Sequence, residues 1–186
     1  MKKTKIIFLR HADTQKDPSL NAALWGLSKE GKKQAEETAN LSIMNEVDVI
    51  YISEEKKTVL TAEPLAKKLG KEVTSLSSLN EVKRGDKFLT KEEFETEKVK
   101  QLKNLDYHAF DGESGKEALA RFKQGVEQIS KENVGKIILI VTHGTILNIY
   151  FADLLDAYDK LSERWQKTVF CTYGIVEGGK VMKDII

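Results

Sequence analysis

Two of the three histidines in this chain of 186 residues follow runs of apolar residues after one intervening residue. His11 comes after Arg10 at the end of the run 6–9, and His143 comes just after the run 137–141. Branched apolar runs without polar alternation are typical of strands that are covered on both faces of a parallel sheet. The carboxyl ends of such strands form the edge at which α/β proteins bind ligands. We therefore expect the two imidazoles to share one site.

An arginine beside a histidine at this edge favours an anion as the ligand. The Arg10 guanidinium offers a planar fork of donors that matches phosphate or carboxylate oxygens, and an imidazole can act as nucleophile, acid or base. The alternatives are two unrelated structural histidines or a zinc site completed by Asp13 or Glu81. Arg10 would repel a dication, and the sequence has no Cys pair and no His-x-x-x-His spacing, so we predict no metal.

Six segments resemble, in order, the motifs of one protein family. Residues 9–14 resemble the Arg-His-Gly-x-Thr signature of the histidine phosphatase superfamily, the phosphoglycerate mutase-like proteins. The other five segments are residues 26–35, 51–64, 79–81, 112–114 and 141–144. Each motif is short, but their common order indicates the family, and the resemblance spans residues 4 to about 150.

The resemblance implies a metal-independent phosphomonoester hydrolase that works through a phosphohistidine. By position in the motifs, His11 takes the phosphoryl group, and His143 helps to hold and neutralise its oxygens. Glu81 in the Leu-x-Glu motif is the expected general acid for the leaving alkoxide, and Glu113 and Asp86 are its rivals. No cofactor is implied.

Four residues are expected to hold the phosphoryl oxygens. Arg10, Thr14 and Gly144 belong to the two histidine motifs, and the first amides of a helix after His143 would add further donors. Lys57 stands where the family has a second pocket arginine. A lysine keeps the positive charge but loses the fork, so a two-point grip on phosphate becomes a point contact.

Smaller departures from the family pattern surround these residues. Ala12 replaces the usual glycine of the first motif. Asp17 stands where many relatives have a pocket asparagine, and it would repel phosphate if it pointed inward, so Asn21 is a possible substitute. Lys56 and Arg84 could compensate for the lost arginine fork, although the simpler interpretation of each is an exposed cation.

Apolar periodicity and capping signals predict the elements that position these residues. The predicted strands cover residues 5–9, 47–52, 72–76 and 136–141, with a C-terminal hairpin of 168–176 and 180–186. The predicted helices cover 29–44, 59–69, 91–104, 115–133 and 145–155, with a kink or a fresh start at Pro64. This order predicts a three-layer α/β/α sandwich with a mostly parallel central sheet and a C-terminal edge hairpin.

We expect a single histidine-phosphatase-like domain over residues 1–186, in which residues 81–113 form a cap insertion that influences substrate choice. Thirty basic and twenty-nine acidic side chains give a net charge of +1, which provides no reason to expect nucleic acid or an anionic membrane as a partner. The single cysteine, Cys171, and the lack of a signal segment or membrane span favour a cytoplasmic protein with a small phosphorylated substrate. The oligomeric state is left open.

Two other functions remain open at this point. A phosphoglycerate-mutase-type transfer differs only in the acceptor of the phosphoryl group, and the short chain and modest cap favour water over a second hydroxyl. A non-catalytic binder of phosphorylated ligands is the second alternative, for which Lys57 and Ala12 are the arguments. Phosphosugars, phosphoglycerate, nucleotides and phosphohistidine proteins all present the same head group, so the motifs do not select among them.

Overall fold

The computed structural model describes residues 3–84 and 90–186, which form six strands and six helices. Asp86, one of the candidate acids, lies outside the described residues. The strands are β1 (Lys5–Arg10), β2 (Val49–Ile52), β3 (Val73–Ser75), β4 (Ile137–Thr142), β5 (Tyr173–Glu177) and β6 (Lys180–Lys183). The helices are α1 (Lys29–Ala39), α2 (Lys56–Leu69), α3 (Lys91–Lys103), α4 (Gly115–Glu132), α5 (Gly144–Leu155) and α6 (Leu161–Lys167). Short 3₁₀ turns lie at Ala22–Leu24, Ser42–Glu46, Ser77–Leu79, Ala109–Asp111 and Tyr158–Lys160.

The strands form one mixed sheet in the order β3-β2-β4-β1-β5-β6. The first four strands in this order are parallel to one another, while β5 runs antiparallel to β1 and β6 runs antiparallel to β5. The predicted fold class is therefore confirmed, including the hairpin at the edge of the sheet. The arrangement also brings the carboxyl ends of β1, β2 and β4 to a single edge.

Alternate residues of the buried strands face two separate cores. Ile6 and Phe8 of β1 pack with Phe122 of α4 and with the apolar residues of α5. Ile7 and Leu9 pack on the opposite face with the apolar residues of α1 and α2. The sheet is thus covered by helices on both faces, which explains why its central strands are continuously apolar.

The structure differs from the predicted elements at several places. Strand β5 begins at Tyr173, whereas a strand from residue 168 was expected. Helix α1 ends at Ala39 and a 3₁₀ turn follows it, whereas a helix to residue 44 was expected. Helix α2 runs without interruption past Pro64, so the proline does not start a new helix. Helix α6 was not predicted, because its seven residues bury only Leu161 and Arg164.

Long-range pairing explains α6 better than local pattern does. Arg164 is buried and donates from Nη1 and Nη2 to both oxygens of Asp184, at 2.8 and 2.6 Å. Such an ion pair across 20 residues leaves no periodic signal in the sequence. No helix within residues 3–84 and 90–186 is long and apolar enough to cross a membrane.

Candidate active site

The carboxyl ends of β1 and β4 bring His11 and His143 together. The two strands pair with Arg10 beside Thr142, and the amide of His11 donates to the carbonyl of Thr142 at 2.9 Å. The imidazole centroids lie 5.2 Å apart and the rings meet at 60°. Both side chains are buried.

The surroundings of His11 favour its neutral form. Nδ1 lies 2.8 Å from the carbonyl oxygen of Ala12, and because a carbonyl only accepts, Nδ1 carries the proton. Nε2 is then left with its lone pair. Burial is the largest cause that lowers the pKa of His11 well below its usual range, and His143, Lys57 and Arg10 lower it further. The imidazole is therefore a neutral nitrogen base at ordinary pH.

His143 contacts two groups that follow β2. Its Nε2 lies 2.7 Å from the hydroxyl of Ser53 and 3.3 Å from Oε1 of Glu55. Ser53 is itself 2.9 Å from the hydroxyl of Thr58. Burial lowers the pKa of His143 to about 3, although Glu81 acts in the opposite direction. This imidazole is also uncharged at neutral pH before a ligand binds.

The chain after α6 fixes the Arg10 guanidinium. Nη1 donates to the carbonyl of Thr168, and the guanidinium carbon lies 4.2 Å from the ring centroid of Phe170. On its other side a Cβ at Gly144 would lie 2.9 Å from Nε of Arg10, so only glycine permits this approach. Nε has no acceptor among residues 3–84 and 90–186, so the protein itself does not satisfy the whole guanidinium.

Several motif residues hold the loop after β1 rather than the ligand. Thr61 accepts from the amide of Ala12 at 3.0 Å, and Gln34 accepts from the amide of Asp13 at 2.9 Å. Ser28 donates to the Asp13 carboxylate at 2.6 Å and caps α1. A Cβ at Gly31 would overlap the Asp13 carbonyl oxygen. These contacts explain why the motifs of residues 26–35 and 51–64 accompany the histidine motif.

Lys57 lies in the site, but it is already paired. Its ammonium donates to the carbonyl of Ala22 at 2.8 Å and to Oε2 of Glu55 at 2.5 Å. Both side chains of the ion pair are largely buried. Glu55 was not singled out by the sequence analysis. Its signal was nonetheless present, because Ser53 and Glu55 follow β2 at the same edge as the two histidines.

The carboxylate of Glu81 lies at the N-terminus of α5. It accepts from the amides of Thr145, Ile146 and Val82, each at 3.0 Å. The expectation that the first helix amides after His143 are open to phosphate therefore needs correction, because an internal carboxylate already uses those of Thr145 and Ile146. A negative charge at a helix N-terminus is favourable, which explains this placement.

These contacts also set the ionisation of Glu81. Burial by itself would raise the pKa, but His143, Lys98 and the amides of Thr145 and Val82 together lower the pKa of Glu81 to about 2. Lys98 belongs to α3 and is buried there, and burial lowers its own pKa to about 8. Helix α3 therefore borders the site. Glu81 is an anion in the ligand-free protein.

Arg121 of α4 organises the loop that carries Glu81, and the sequence analysis did not find it. Its guanidinium donates to the carbonyls of Ser78 at 2.8 Å and Glu81 at 3.2 Å. It also forms an ion pair with Glu113. Glu113 accepts from the amide of Lys83 at 2.9 Å. Glu113 is thus already neutralised by an arginine and tied to the backbone.

The remaining candidates lie around the site. Thr14 forms an isolated backbone bridge with Leu27. Asp17 accepts from Ser19, and Asn21 caps a 3₁₀ turn. Lys56 is exposed.

Arg84 lies against aromatic rings, with its guanidinium carbon 5.7 Å from the ring centroid of Trp25 and 5.4 Å from that of Phe94. In the described part of the chain no three His, Cys, Asp or Glu side chains are grouped as metal ligands.

We expect the free energy of unfolding to fall in mildly acidic solution because of the buried histidines. A histidine with a folded pKa of about 3 and an unfolded value of 6.5 takes up a proton only on unfolding between these pH values. Stability therefore falls as pH drops below about 6.5, by on the order of 1 kcal/mol from about pH 7 to 5.5 for His143. His11 acts in the same direction. Glu81 adds no slope until the pH falls below 4.5.

Urea unfolding at several pH values measures this slope. We expect it to become shallower in His143→Gln and to remain in His108→Gln, which changes an exposed histidine. If the free energy of unfolding of His143→Gln depends on pH as steeply as that of the native protein, His143 is not the cause of the acid lability.

The edge of this α/β sheet holds two buried imidazoles, an arginine and a lysine. Residues 6–183 match the model of the histidine phosphatase superfamily, branch 1, and the chain belongs to this family. A comparison with curated protein sequences finds no match.

Solved structures share the fold over nearly the whole chain. Mycobacterial glucosyl-3-phosphoglycerate phosphatase is 17% identical with a TM-score of 0.80, and the match covers 99% of each chain. A mutant phosphoserine phosphatase from Entamoeba histolytica, solved in complex with phosphoserine, is 24% identical with a TM-score of 0.73, covering 92% of this chain and 89% of that one. A putative alpha-ribazole-5'-P phosphatase from Escherichia coli is 18% identical with a TM-score of 0.75, covering 98% and 96%.

Proposed function

We propose that this protein is a metal-independent phosphomonoesterase that works through a phosphohistidine on His11. The observation that carries the proposal is the Nδ1 contact with the Ala12 carbonyl, which leaves a lone pair on Nε2 of a buried, uncharged imidazole. A nucleophile must be unprotonated at working pH, and His11 meets this requirement. Family membership and the phosphatase neighbours support the same reaction class.

Hydrolysis would take two steps. In the first, Nε2 of His11 forms a bond to phosphorus, the ester P–O bond breaks, and the leaving alkoxide takes a proton from Glu81. In the second, water attacks the phosphohistidine, Glu81 takes the proton of the water, and the P–N bond breaks to restore neutral His11. Arg10 and His143 would hold the equatorial oxygens throughout, with Thr14, Lys57 and Gly144 as further contacts.

Glu81 must be protonated for the first step, and substrate binding can raise its pKa enough for this. In the ligand-free protein its pKa is about 2. A phosphate dianion beside it repels the carboxylate, which raises the pKa of Glu81 and of the two neighbouring histidines. The proton required by the acid can therefore enter with a monoanionic ester or from solvent as the substrate binds.

The substrate is proposed to be a small phosphorylated metabolite, chosen in part by the cap of residues 81–113. Helix α3 of this segment brings Lys98 near Glu81 and packs Phe94 against Trp165 of α6, with ring centroids 6.4 Å apart. The neighbour phosphatases are named for glucosyl-3-phosphoglycerate and phosphoserine, which supports a substrate of this size. A panel of phosphometabolites would identify it.

Turnover of p-nitrophenyl phosphate is the direct test of this function. We expect activity to survive a chelator, because the site neutralises phosphate with cationic and imidazole groups rather than a metal. We also expect inhibition by vanadate, which adopts the geometry of the transition state. Loss of turnover on chelation with recovery on adding zinc or magnesium would contradict the mechanism. Phosphate binding without turnover would indicate the non-catalytic binder, which the paired Lys57 favours.

A further inference from the structure

The carboxylate of Glu55 contacts three residues of the proposed site. Its Oε2 pairs with the ammonium of Lys57, and its Oε1 lies 3.3 Å from Nε2 of His143. The same Oε1 accepts from the amide of Glu81 at 3.1 Å. The side chain is only 13% exposed, so the carboxylate belongs to the interior of the site.

This position conflicts with the binding of a phosphoryl group. Lys57 and His143 are both proposed to hold phosphoryl oxygens, and the carboxylate of Glu55 contacts both of them. Lys57 has three N–H donors, of which one is bonded to the Ala22 carbonyl and one to Glu55. An incoming phosphate must therefore bind beside a carboxylate or take its place, and repulsion between two anions is strong where solvent is excluded.

We propose that Glu55 is an internal counter-ion that competes with the phosphoryl group for Lys57 and so sets the affinity of the site for phosphate. The inference rests on the proposed function, because it takes this pocket to be the phosphate site. Binding of phosphate then requires that Lys57 exchange one anionic partner for another. The apparent Kd for phosphate is then the intrinsic Kd divided by the fraction of molecules in which Lys57 is released from Glu55.

The type of cation matters to this competition. An arginine has five donors in a fork and can bind two anions at once, whereas a lysine is a compact point charge with a single nitrogen. With lysine at position 57, the Glu55 carboxylate and the phosphoryl group therefore compete more strongly for the cation than they would with arginine. The pair Glu55 and Lys57 thus acts as one unit that tunes the site.

Calorimetric titration of the whole protein with inorganic phosphate tests the proposal. We expect Glu55→Gln to lower the Kd for phosphate at least about tenfold, since the amide keeps the shape and the contact with the Glu81 amide but loses the charge. Glu54→Gln is the matched control, because Glu54 is the adjacent, exposed carboxylate and contacts Asn80 rather than Lys57. The control should change the Kd less than about twofold.

A second comparison separates competition from simple repulsion. Lys57→Met should raise the Kd by about threefold in the native background, where Glu55 already occupies the ammonium. The same change should raise it tenfold or more in Glu55→Gln, where Lys57 is released. Equal costs in the two backgrounds would overturn competition, as would an unchanged Kd in Glu55→Gln or the absence of phosphate binding in every variant.

Separate measurements test the folding of each variant, the proposed function and the role of Glu55. Circular dichroism melting establishes that each variant is folded, and Glu55→Ala replaces Glu55→Gln if the glutamine variant is not. If no variant hydrolyses p-nitrophenyl phosphate but the binding series is as expected, the proposed function fails and the role of Glu55 stands. If the native protein hydrolyses the ester but Glu55→Gln binds phosphate no more tightly, the role of Glu55 fails alone.

Discussion

His11→Ala should lose roughly 10⁴-fold or more of the p-nitrophenyl phosphate turnover, because the reaction loses its nucleophile and not merely a contact. The same change should remove the covalent intermediate. When the native protein is mixed briefly with a phosphate ester labelled in the phosphoryl group and quenched, we expect protein-bound label that is labile in acid and stable in alkali. Both properties identify a phosphorus–nitrogen bond.

A histidine away from the site provides the control for this experiment. His108→Ala changes an exposed ring whose Nδ1 contacts the carbonyl of Gly112 at 3.0 Å, so label and turnover should both persist. Peptide mapping then locates the label. Label that survives in His11→Ala, or that resides on a serine, would exclude His11 as the nucleophile.

Glu81→Gln should have the second large effect, and its size should depend on the leaving group. General acids contribute about 10²–10⁴ in rate, and the contribution shrinks when the departing oxygen is already a stable anion. We therefore expect the variant to slow hydrolysis of an alkyl phosphate about 10²-fold more than hydrolysis of p-nitrophenyl phosphate. Steady-state kcat/KM on the two esters measures the difference.

A loss of activity in Glu81→Gln could instead result from the loss of the helix cap, which the stability of the fold would report. Removing a charge that accepts from the amides of Thr145 and Ile146 should destabilise the fold by about 0.3–2 kcal/mol in any case. Equal kinetic losses on both esters would mean that Glu81 only anchors α5. Glu113→Gln is the comparison, because Glu113 is ion-paired with Arg121 and should show no dependence on the leaving group.

The position of the histidine pair was accessible from sequence because it depends on strand order alone. A buried apolar run followed by a histidine places that histidine at the sheet edge, whichever loops surround it. Capping signals were equally informative, since Ser28 and Ser114 cap α1 and α4, the helices predicted to begin at residues 29 and 115. These features are local, and local physics determines them.

The electrostatic partners of the site residues were not accessible in the same way. Arg10 lies on Phe170 and against Gly144, and Glu81 caps a helix that starts 63 residues after it. Only the fold brings these residues together, so no periodicity or spacing in the sequence predicts the contacts. Glu55 is the exception, because the strand-end argument used for β1 and β4 applies equally to β2.

The place of β1 within the sheet has a consequence for biosynthesis. Its neighbours in the sheet are β4 and β5, and Lys5 pairs with Ile137 on one side and with Glu177 on the other. A ribosome therefore releases the strand that carries Arg10 long before either neighbour exists, and the apolar side chains of Ile6 to Leu9 must remain unpaired during translation. The proposed nucleophile, His11, is therefore synthesised before the strands that complete its site. Nascent chains that stall before β5 should be substrates for chaperones rather than slow phosphatases.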